Sequence, residues 1–143
     1  MFLEEAFRIE CIELISEELI ASGGYSSNIN IWNLMSGIID KTFIGKSEYV
    51  LCLIKFNYEL FASAGEGGTI SLWNINYERS LNELEGHSDY INCLLILTDN
   101  LLVSGSSDKT IRIWNIQTMI AVKILEGFNA QVYFLLKVNK KLF

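Results

Sequence analysis

Short apolar runs separated by small polar residues follow one another along the whole chain. Four runs are clearest in its last third, at 90–97, 100–106, 109–116 and 120–127. The run KTIRIWNI alternates apolar and polar positions, and the links between runs contain Gly, Ser, Asn or Asp. Runs of four to eight residues with such punctuation are typical of β-strands joined by tight turns. No stretch keeps a 3.6-residue period long enough to predict a helix, so the pattern predicts an all-β protein.

The pattern recurs with a fixed step of 41 residues. Trp32, Trp73 and Trp114 are the three tryptophans of the chain, and both gaps between them are 41 residues. Laying 49–89 over 90–130 without a gap matches 13 of 41 positions. A fixed period without insertions indicates that one supersecondary unit is repeated. Within a single domain, 1–143, we predict three four-stranded antiparallel units at about 8–44, 49–85 and 90–126, and the start of a fourth at 131–143.

Four-stranded units of this length, with a tryptophan late in the third strand, resemble WD40 repeats, which form the blades of β-propellers. The resemblance covers almost the whole chain, and the third unit matches the family pattern best. It has Gly86-His87 before its first strand, Ser104 in its second strand, Asp108 in the next turn and Trp114 in its third strand. The resemblance implies that His87, Ser104, Asp108 and Trp114 form a hydrogen-bonded network that holds the loop to the sheet.

The other units depart from this family pattern. Lys46 and Phe128 replace the histidine, and Gly67 and Ser26 replace the aspartate. The aspartate that follows the tryptophan in the family is asparagine in all three units: Asn33, Asn74 and Asn115. These departures predict a weaker network in the first two units without changing the predicted fold.

The number of units predicts an incomplete ring, because a closed propeller takes about four to eight blades. Leu142 and Phe143 align with the start of a second strand, so the chain breaks off inside a unit. Two interpretations remain. The chain is a segment of a longer propeller, which the break inside a unit favours, or its open blade faces associate with another copy or with a partner.

Composition and charge narrow the class of protein. Hydrophobic residues make up 50% of the chain, as expected for strands buried on both faces. The net charge of −6 and the absence of a basic stripe argue against nucleic acid as a partner. The longest uncharged run, 19–39, is rich in Gly, Ser and Asn, so we expect no membrane insertion. No secretory segment opens the sequence, which predicts a cytoplasmic protein, with the nucleus as an alternative.

Three cysteines and one histidine raise the question of a metal site. Cys11, Cys52 and Cys93 are 41 residues apart, and Phe134 stands at the corresponding position of the fourth unit. A position that accepts either Cys or Phe is a packing position, and no pair of cysteines has zinc-ligand spacing. We therefore predict buried thiols and no metal.

Candidate catalytic residues also have structural interpretations. His87 could act as a general base and Ser104 as a nucleophile, but no G-x-S-x-G elbow surrounds Ser104. Asp89 and Asp108 could form a carboxylate pair, although turn and hydrogen-bonding roles are the simpler interpretation. The glycines of AGEGGT lack the helix and lysine of a phosphate loop. We predict no catalytic residue and no cofactor.

The resemblance implies a binding role, since WD40 proteins commonly bind peptides or protein loops on one rim. That rim gathers the turns between second and third strands and the links before first strands. The leading hypothesis is a non-catalytic scaffold that binds partner proteins through these loops. The alternative is a structural module, or fragment, of a larger protein with its activity elsewhere. The candidate rim residues are Tyr25, Glu66, Ser107, Tyr49, Tyr90, Ser47 and Ser88.

Overall fold

The computed structural model describes residues 8–138, which form three four-stranded antiparallel sheets. Strand order within each sheet follows the sequence, so neighbours in a sheet are also neighbours along the chain. We call the sheets blades 1, 2 and 3. Their strands are β1 (Ile9–Leu14), β2 (Leu19–Gly24), β3 (Ser26–Asn33) and β4 (Ile39–Ile44); β5 (Val50–Lys55), β6 (Leu60–Gly65), β7 (Thr69–Asn74) and β8 (Ser80–Glu85); β9 (Ile91–Thr98), β10 (Leu101–Ser106), β11 (Ile111–Asn115) and β12 (Ile120–Leu125).

This arrangement confirms the predicted all-β fold of four-stranded antiparallel blades. The four runs predicted in the third unit correspond to β9 to β12, with ends that differ by one or two residues. No helix occurs among residues 8–138, and therefore none that could cross a membrane.

The asparagines that replace the family's aspartate close the turns between third and fourth strands. The side-chain oxygen Oδ1 of Asn33 accepts hydrogen bonds from the backbone N–H groups of Met35 and Ser36, both at 3.0 Å. Asn74 and Asn115 make the corresponding bonds in blades 2 and 3. These bonds need an acceptor oxygen two residues before the donor, which an asparagine supplies as well as an aspartate does.

The core lies between the blades. The first strands stack on one another, since β1 contacts β5 and β5 contacts β9. Between blades 1 and 2, Phe43, Phe61 and Trp73 pack with ring centroids 5.5–6.3 Å apart, and all three are at most 1% exposed. A second apolar cluster between blades 2 and 3 contains Trp114. Stacking therefore buries the side chains that a single sheet would leave in water.

Within the described part of the predicted fourth unit, 131–138, no strand is formed. Residues 131–138 have no strand pairing, and 139–143 lie outside the described residues. Val132 nevertheless contacts blade 3 as Val50 contacts blade 1. A Cβ added to Gly105 would lie 2.5 Å from Cγ1 of Val132, and one added to Gly23 would lie 2.6 Å from Cγ1 of Val50. A first strand is paired only by the second strand of its own blade, and residues 8–138 contain no such strand for this segment.

A small apolar cavity of about 90 Å³ lies between blades 2 and 3. Between blades 1 and 2, Lys41 spans the corresponding place and its Nζ donates to the carbonyl of Ile75 at 2.8 Å. One repeat later the lysine is replaced by the shorter Asn82, which lines the cavity together with Ile116. The cavity therefore exists because blade 2 has no lysine at this position, whose aliphatic chain would fill the space.

Substituting Asn82→Lys is expected to stabilise the chain by about 1 kcal/mol. The new stem fills the cavity and its ammonium group can donate to the carbonyl of Ile116. The urea midpoint of unfolding measures the gain. The reciprocal change Lys41→Asn should lower stability by a similar amount. Equal midpoints for Asn82→Lys and Asn82→Met would show that the added hydrogen bond contributes nothing.

Candidate functional site

Each blade contains the same hydrogen bond between its tryptophan and a serine of its second strand. The indole N–H of Trp32 donates to Ser22 Oγ, that of Trp73 to Ser63 and that of Trp114 to Ser104, each at 2.8 Å. The repeat places the two side chains diagonally on the paired second and third strands, two register positions apart. In blade 3, for example, Trp114 pairs with Leu102 while Ser104 pairs with Arg112. This bond ties the two central strands of each blade together.

In blade 3 the bond extends into a chain that contains all four residues of the predicted network. His87 Nε2 lies 2.7 Å from Ser104 Oγ, and His87 Nδ1 lies 2.6 Å from Asp108 Oδ2. The partners define the direction of donation. Trp114 donates to Ser104, the Ser104 hydroxyl donates to His87 Nε2, and His87 Nδ1–H donates to Asp108. The Thr110 hydroxyl donates to the second oxygen of Asp108 at 2.7 Å.

This environment keeps His87 neutral and Asp108 ionised. Desolvation by burial lowers the pKa of His87, against the opposing effect of its hydrogen bond to Asp108. Burial raises the pKa of Asp108. Hydrogen bonds from Thr110, His87 and the backbone N–H groups of Ser88 and Thr110 outweigh that effect and bring it to about 2. A neutral histidine that donates to a carboxylate is the form that satisfies every link of the chain.

Ser104, His87 and Asp108 are hydrogen-bonded in the same order as the serine, histidine and aspartate of a catalytic triad, but the serine is not accessible to a substrate. Ser104 is 0% exposed and already accepts the Trp114 N–H. The His87 side chain is also 0% exposed. A nucleophile must reach a substrate carbonyl, and this hydroxyl faces protein on every side. The geometry suits a structural network that fixes the loop before β9 to the body of blade 3.

Blades 1 and 2 have no histidine before their first strands. In blade 2, Lys46 and Gly67 replace the histidine and the aspartate, and they have other roles. Lys46, at the histidine position, turns to Glu83 of blade 2 with Nζ 2.5 Å from Oε2. Gly67, at the aspartate position, has a φ of 86°, a left-handed conformation that favours glycine. Among residues 8–138, no side chain extends the hydrogen bond of these two blades beyond Ser22 or Ser63.

The cysteines lie where successive first strands stack. The thiol of Cys11 donates to the carbonyl of Val50 at 3.5 Å, and that of Cys52 contacts the carbonyls of Ala64 and Ile91. Burial raises the pKa of Cys11 to about 12 and that of Cys93 to about 11. Within residues 8–138 no three His, Cys, Asp or Glu side chains are grouped as metal ligands would be. Cys52 is buried as predicted, whereas Cys11 and Cys93 are half-buried. Protonated thiols are poor nucleophiles and poor ligands.

Most of the predicted rim residues form one connected row along the edge of the blades. The rings of Tyr25 and Tyr49 lie 5.0 Å apart, and the Glu66 N–H donates to the carbonyl of Tyr49 at 3.1 Å. The hydroxyl of Tyr90 donates to Glu66 Oε1, also at 3.1 Å. This bond raises the pKa of the Tyr90 phenol. Tyr25 is exposed, whereas Tyr49, Glu66 and Tyr90 are half-buried.

The serines of the rim differ in their availability. Ser88 is exposed and Ser47 is half-buried. Ser107 is buried and 8% exposed, and its hydroxyl accepts the side-chain amide of Asn92 at 3.0 Å. Ser107 therefore belongs to the interior of blade 3 and not to the accessible rim. The amide of Asn92 that bonds it also donates to the carbonyl of Val132, at 3.0 Å.

Two shallow depressions lie on either side of Glu66. One, of about 380 Å³, is lined by Glu66, Gly67, His87, Ser88, Asp89 and Tyr90. The other, of about 410 Å³, is lined by Lys46, Ser47, Glu48, Glu66, Gly67 and Thr69. Glu66 is thus the side chain that both depressions share.

Two rim residues were not predicted from the sequence. Arg8 places its guanidinium carbon 5.3 Å from the centre of the Tyr25 ring, and Glu48 lines the second depression. Both could have been found from the period, since Arg8 lies 41 residues before Tyr49 and Glu48 lies 41 residues before Asp89. Asp89, considered as one of a carboxylate pair, accepts the backbone N–H of Tyr90, while Asp108 belongs to the histidine network.

Comparison with known proteins agrees with this geometry. The family model of the WD domain, G-beta repeat, matches residues 38–74 and 78–115, together more than half of the chain. The solved structure of U3-55K superposes with a TM-score of 0.80 at 24% sequence identity. The match covers 89% of this chain and 42% of U3-55K, so the chain spans less than half of that protein. No match was found among curated proteins.

The likeness to U3-55K establishes the fold, and the two matched repeats establish the family. The matched repeats include Trp73 and Trp114 and the whole of the hydrogen-bonded chain of blade 3. With its three stacked four-stranded blades, the chain belongs to the WD40-repeat family of β-propeller proteins.

Proposed function

We propose that the chain is a non-catalytic interaction scaffold that binds partner proteins or peptides through the rim row Tyr25, Tyr49, Glu66 and Tyr90. The family and the fold support a protein-interaction module in general. The observation that carries the finer proposal is the connected row itself, in which side chains from successive blades meet on one edge.

The rim is held in place before any partner arrives. In each blade a backbone N–H just after the second strand donates to the carbonyl that precedes the first strand. These bonds are Tyr25 to Arg8 at 2.9 Å, Glu66 to Tyr49 at 3.1 Å and Ser107 to Tyr90 at 2.8 Å. Loops fixed in this way lose little conformational entropy on binding, so more of the contact energy appears as affinity. Tyrosine adds a large contact area with few rotatable bonds and a polar tip.

Substituting Tyr25→Ala and Glu66→Ala together is expected to weaken partner binding at least tenfold while leaving the fold intact. Both side chains lie outside the two interblade clusters, and interface anchors of this kind each contribute about 1–2 kcal/mol or more. Ser107 is left unchanged because it is buried. Quantitative co-purification of the complete protein with its partners, together with a thermal melt, measures both effects.

The chain offers a matched control for this experiment. Tyr58 and Glu59 are exposed and lie on the turn between β5 and β6, at the end of the blades opposite the rim. Tyr58→Ala with Glu59→Ala removes the same two residue types and should leave every partner bound. Equal retention of partners by both double variants would refute the rim proposal.

The alternative is that these blades form a structural module of a larger protein whose activity lies elsewhere. The length of U3-55K, of which the chain spans 42%, supports this alternative. It predicts that neither double variant changes any interaction, so the same experiment distinguishes the two functions.

A further inference from the structure

We propose that the rim around Glu66 binds a positively charged segment of the partner, with a lysine or arginine side chain seated in the depression between Glu66 and Asp89. This inference rests on the proposed rim function and adds the chemical class of the partner. It follows from three features of the rim: an unsatisfied carboxylate oxygen, the balance of charge, and an aromatic pair in which one ring already contacts a guanidinium group.

The first feature is the carboxylate of Glu66. Its Oε1 accepts the hydroxyl of Tyr90, whereas its Oε2 is shut off from solvent and accepts no hydrogen bond from any residue in 8–138. A buried carboxylate oxygen without a donor is unfavourable. Rotation about the terminal torsion of a glutamate is easy, so either oxygen can turn toward the depressions that flank it. An ammonium or guanidinium group placed there would supply the missing donor.

The second feature is the balance of charge around the depressions. The carboxylates of Glu48, Glu66 and Asp89 line them, and within the described residues none of the three forms an ion pair. Of the nearby cations, Lys46 is paired with Glu83 and Arg8 with Glu10.

Two further cations lie outside the lining of both depressions: Lys109 on the turn between β10 and β11, and Arg112 on β11, whose guanidinium lies against Gly86 and lowers the pKa of His87. The row therefore presents unpaired negative charge on a chain of net charge −6. This charge attracts cationic partners and repels acidic ones.

The third feature is the tyrosine pair next to Glu66. Tyr25 and Tyr49 lie at an angle of 42°, and the guanidinium of Arg8 sits over the Tyr25 ring. Aromatic faces attract cations through their quadrupole. Because Tyr49 is joined to Glu66 through a backbone hydrogen bond, one extended segment can place one cation at Glu66 and a second near the Tyr49 ring.

The test uses a fluorescein-labelled peptide of alternating arginine and alanine, and the same peptide with glutamate in place of arginine. Binding to the complete protein is followed by fluorescence anisotropy at about 50 and 200 mM salt. We expect the arginine peptide to bind, with an affinity that falls as salt rises, and the glutamate peptide not to bind. The double variant Glu66→Gln with Asp89→Asn should weaken the arginine peptide at least tenfold.

A charge-matched control separates a local site from net charge. Glu59→Gln with Glu78→Gln removes two carboxylates from the turns opposite the rim and should leave binding unchanged. Equal weakening by both pairs would overturn the proposal, as would equal binding of the glutamate peptide. If Glu66→Gln with Asp89→Asn lowers the thermal midpoint, the single variant Asp89→Asn replaces it in the binding test, because Asp89 is exposed.

The outcomes also distinguish this inference from the proposed function. If the arginine peptide does not bind, but Tyr25→Ala with Glu66→Ala still releases partners, the rim binds proteins and the cationic class is wrong. If the arginine peptide binds at Glu66 but the partners stay bound to the alanine variant, the partners bind another surface. In that case the proposed function fails, and the inference fails with it because it depends on the rim.

Discussion

Replacing Trp73 with alanine is expected to lower the free energy of unfolding by about 4 kcal/mol. Trp73 is 1% exposed and lies at the centre of the cluster that joins blades 1 and 2. The change removes its ring from contact with Phe43 and Phe61, leaves a cavity, and deprives Ser63 of its indole donor. Urea unfolding followed by circular dichroism measures the loss.

The repeat supplies a control with the same chemistry in different surroundings. Trp32 makes the same 2.8 Å bond to its serine but is only half-buried. Trp32→Ala should therefore lower stability by about 1–2 kcal/mol, less than half the effect at Trp73. If Trp73→Ala shows no cooperative transition, Trp73→Phe gives a measurable, smaller loss. Equal losses at the two tryptophans would show that stability comes from within blades and not from their stacking.

Replacing His87 with alanine is expected to cost about 3 kcal/mol. The change removes the link between Ser104 and Asp108 and leaves a carboxylate, 6% exposed in its side chain, without its histidine donor. It also opens space against the ring of Trp114, whose centroid lies 6.0 Å from that of His87.

The pH dependence of stability gives this prediction a signature that cavity formation alone would not produce. The pKa of His87 is lower in the folded chain than its ordinary value of 6.5. As pH falls below 6.5, the unfolded chain therefore takes up the proton first, and stability falls until the lowered pKa of the folded state is passed. Above pH 6.5 the contribution is fully present.

A second loss of stability belongs to Asp108, whose pKa is lowered from 3.8 to about 2, and it occurs as pH falls through that range. Because His87 is the single histidine of the chain, His87→Ala should abolish the step below pH 6.5. Retention of that step in the variant would contradict this account of the network.

The strands and their grouping could be predicted from the sequence because every sheet pairing is local. Adjacent strands are joined by short turns, so one 41-residue unit contains all the information needed for one blade. The Trp–Ser bonds also follow from the period, since each pair spans ten residues on neighbouring strands.

Features that depend on contacts between blades, or on which residues pack over a loop, could not be predicted from the sequence. The sequence predicts Ser107 on the rim, but its hydroxyl is bonded to Asn92, whose amide also donates to the carbonyl of Val132. Tyr25 and Tyr49 were both assigned to the rim, yet their ring contact depends on the stacking angle of two blades. The cavity beside Asn82 could not be predicted either, because it is explained by a contact between blades: Lys41 bonds the carbonyl of Ile75 one blade earlier, and Asn82 is too short to do the same.

The sequential strand order has a consequence for how the chain folds. Each ladder forms between segments a few residues apart, so closing a blade loses little chain entropy. The long-range step is the docking of one finished sheet on the next, as when Cys11 meets the carbonyl of Val50, 39 residues away. The contact order is therefore low within a blade and rises only at docking. Folding should nucleate in any blade and spread to its neighbours, with each sheet acting as a template for the next.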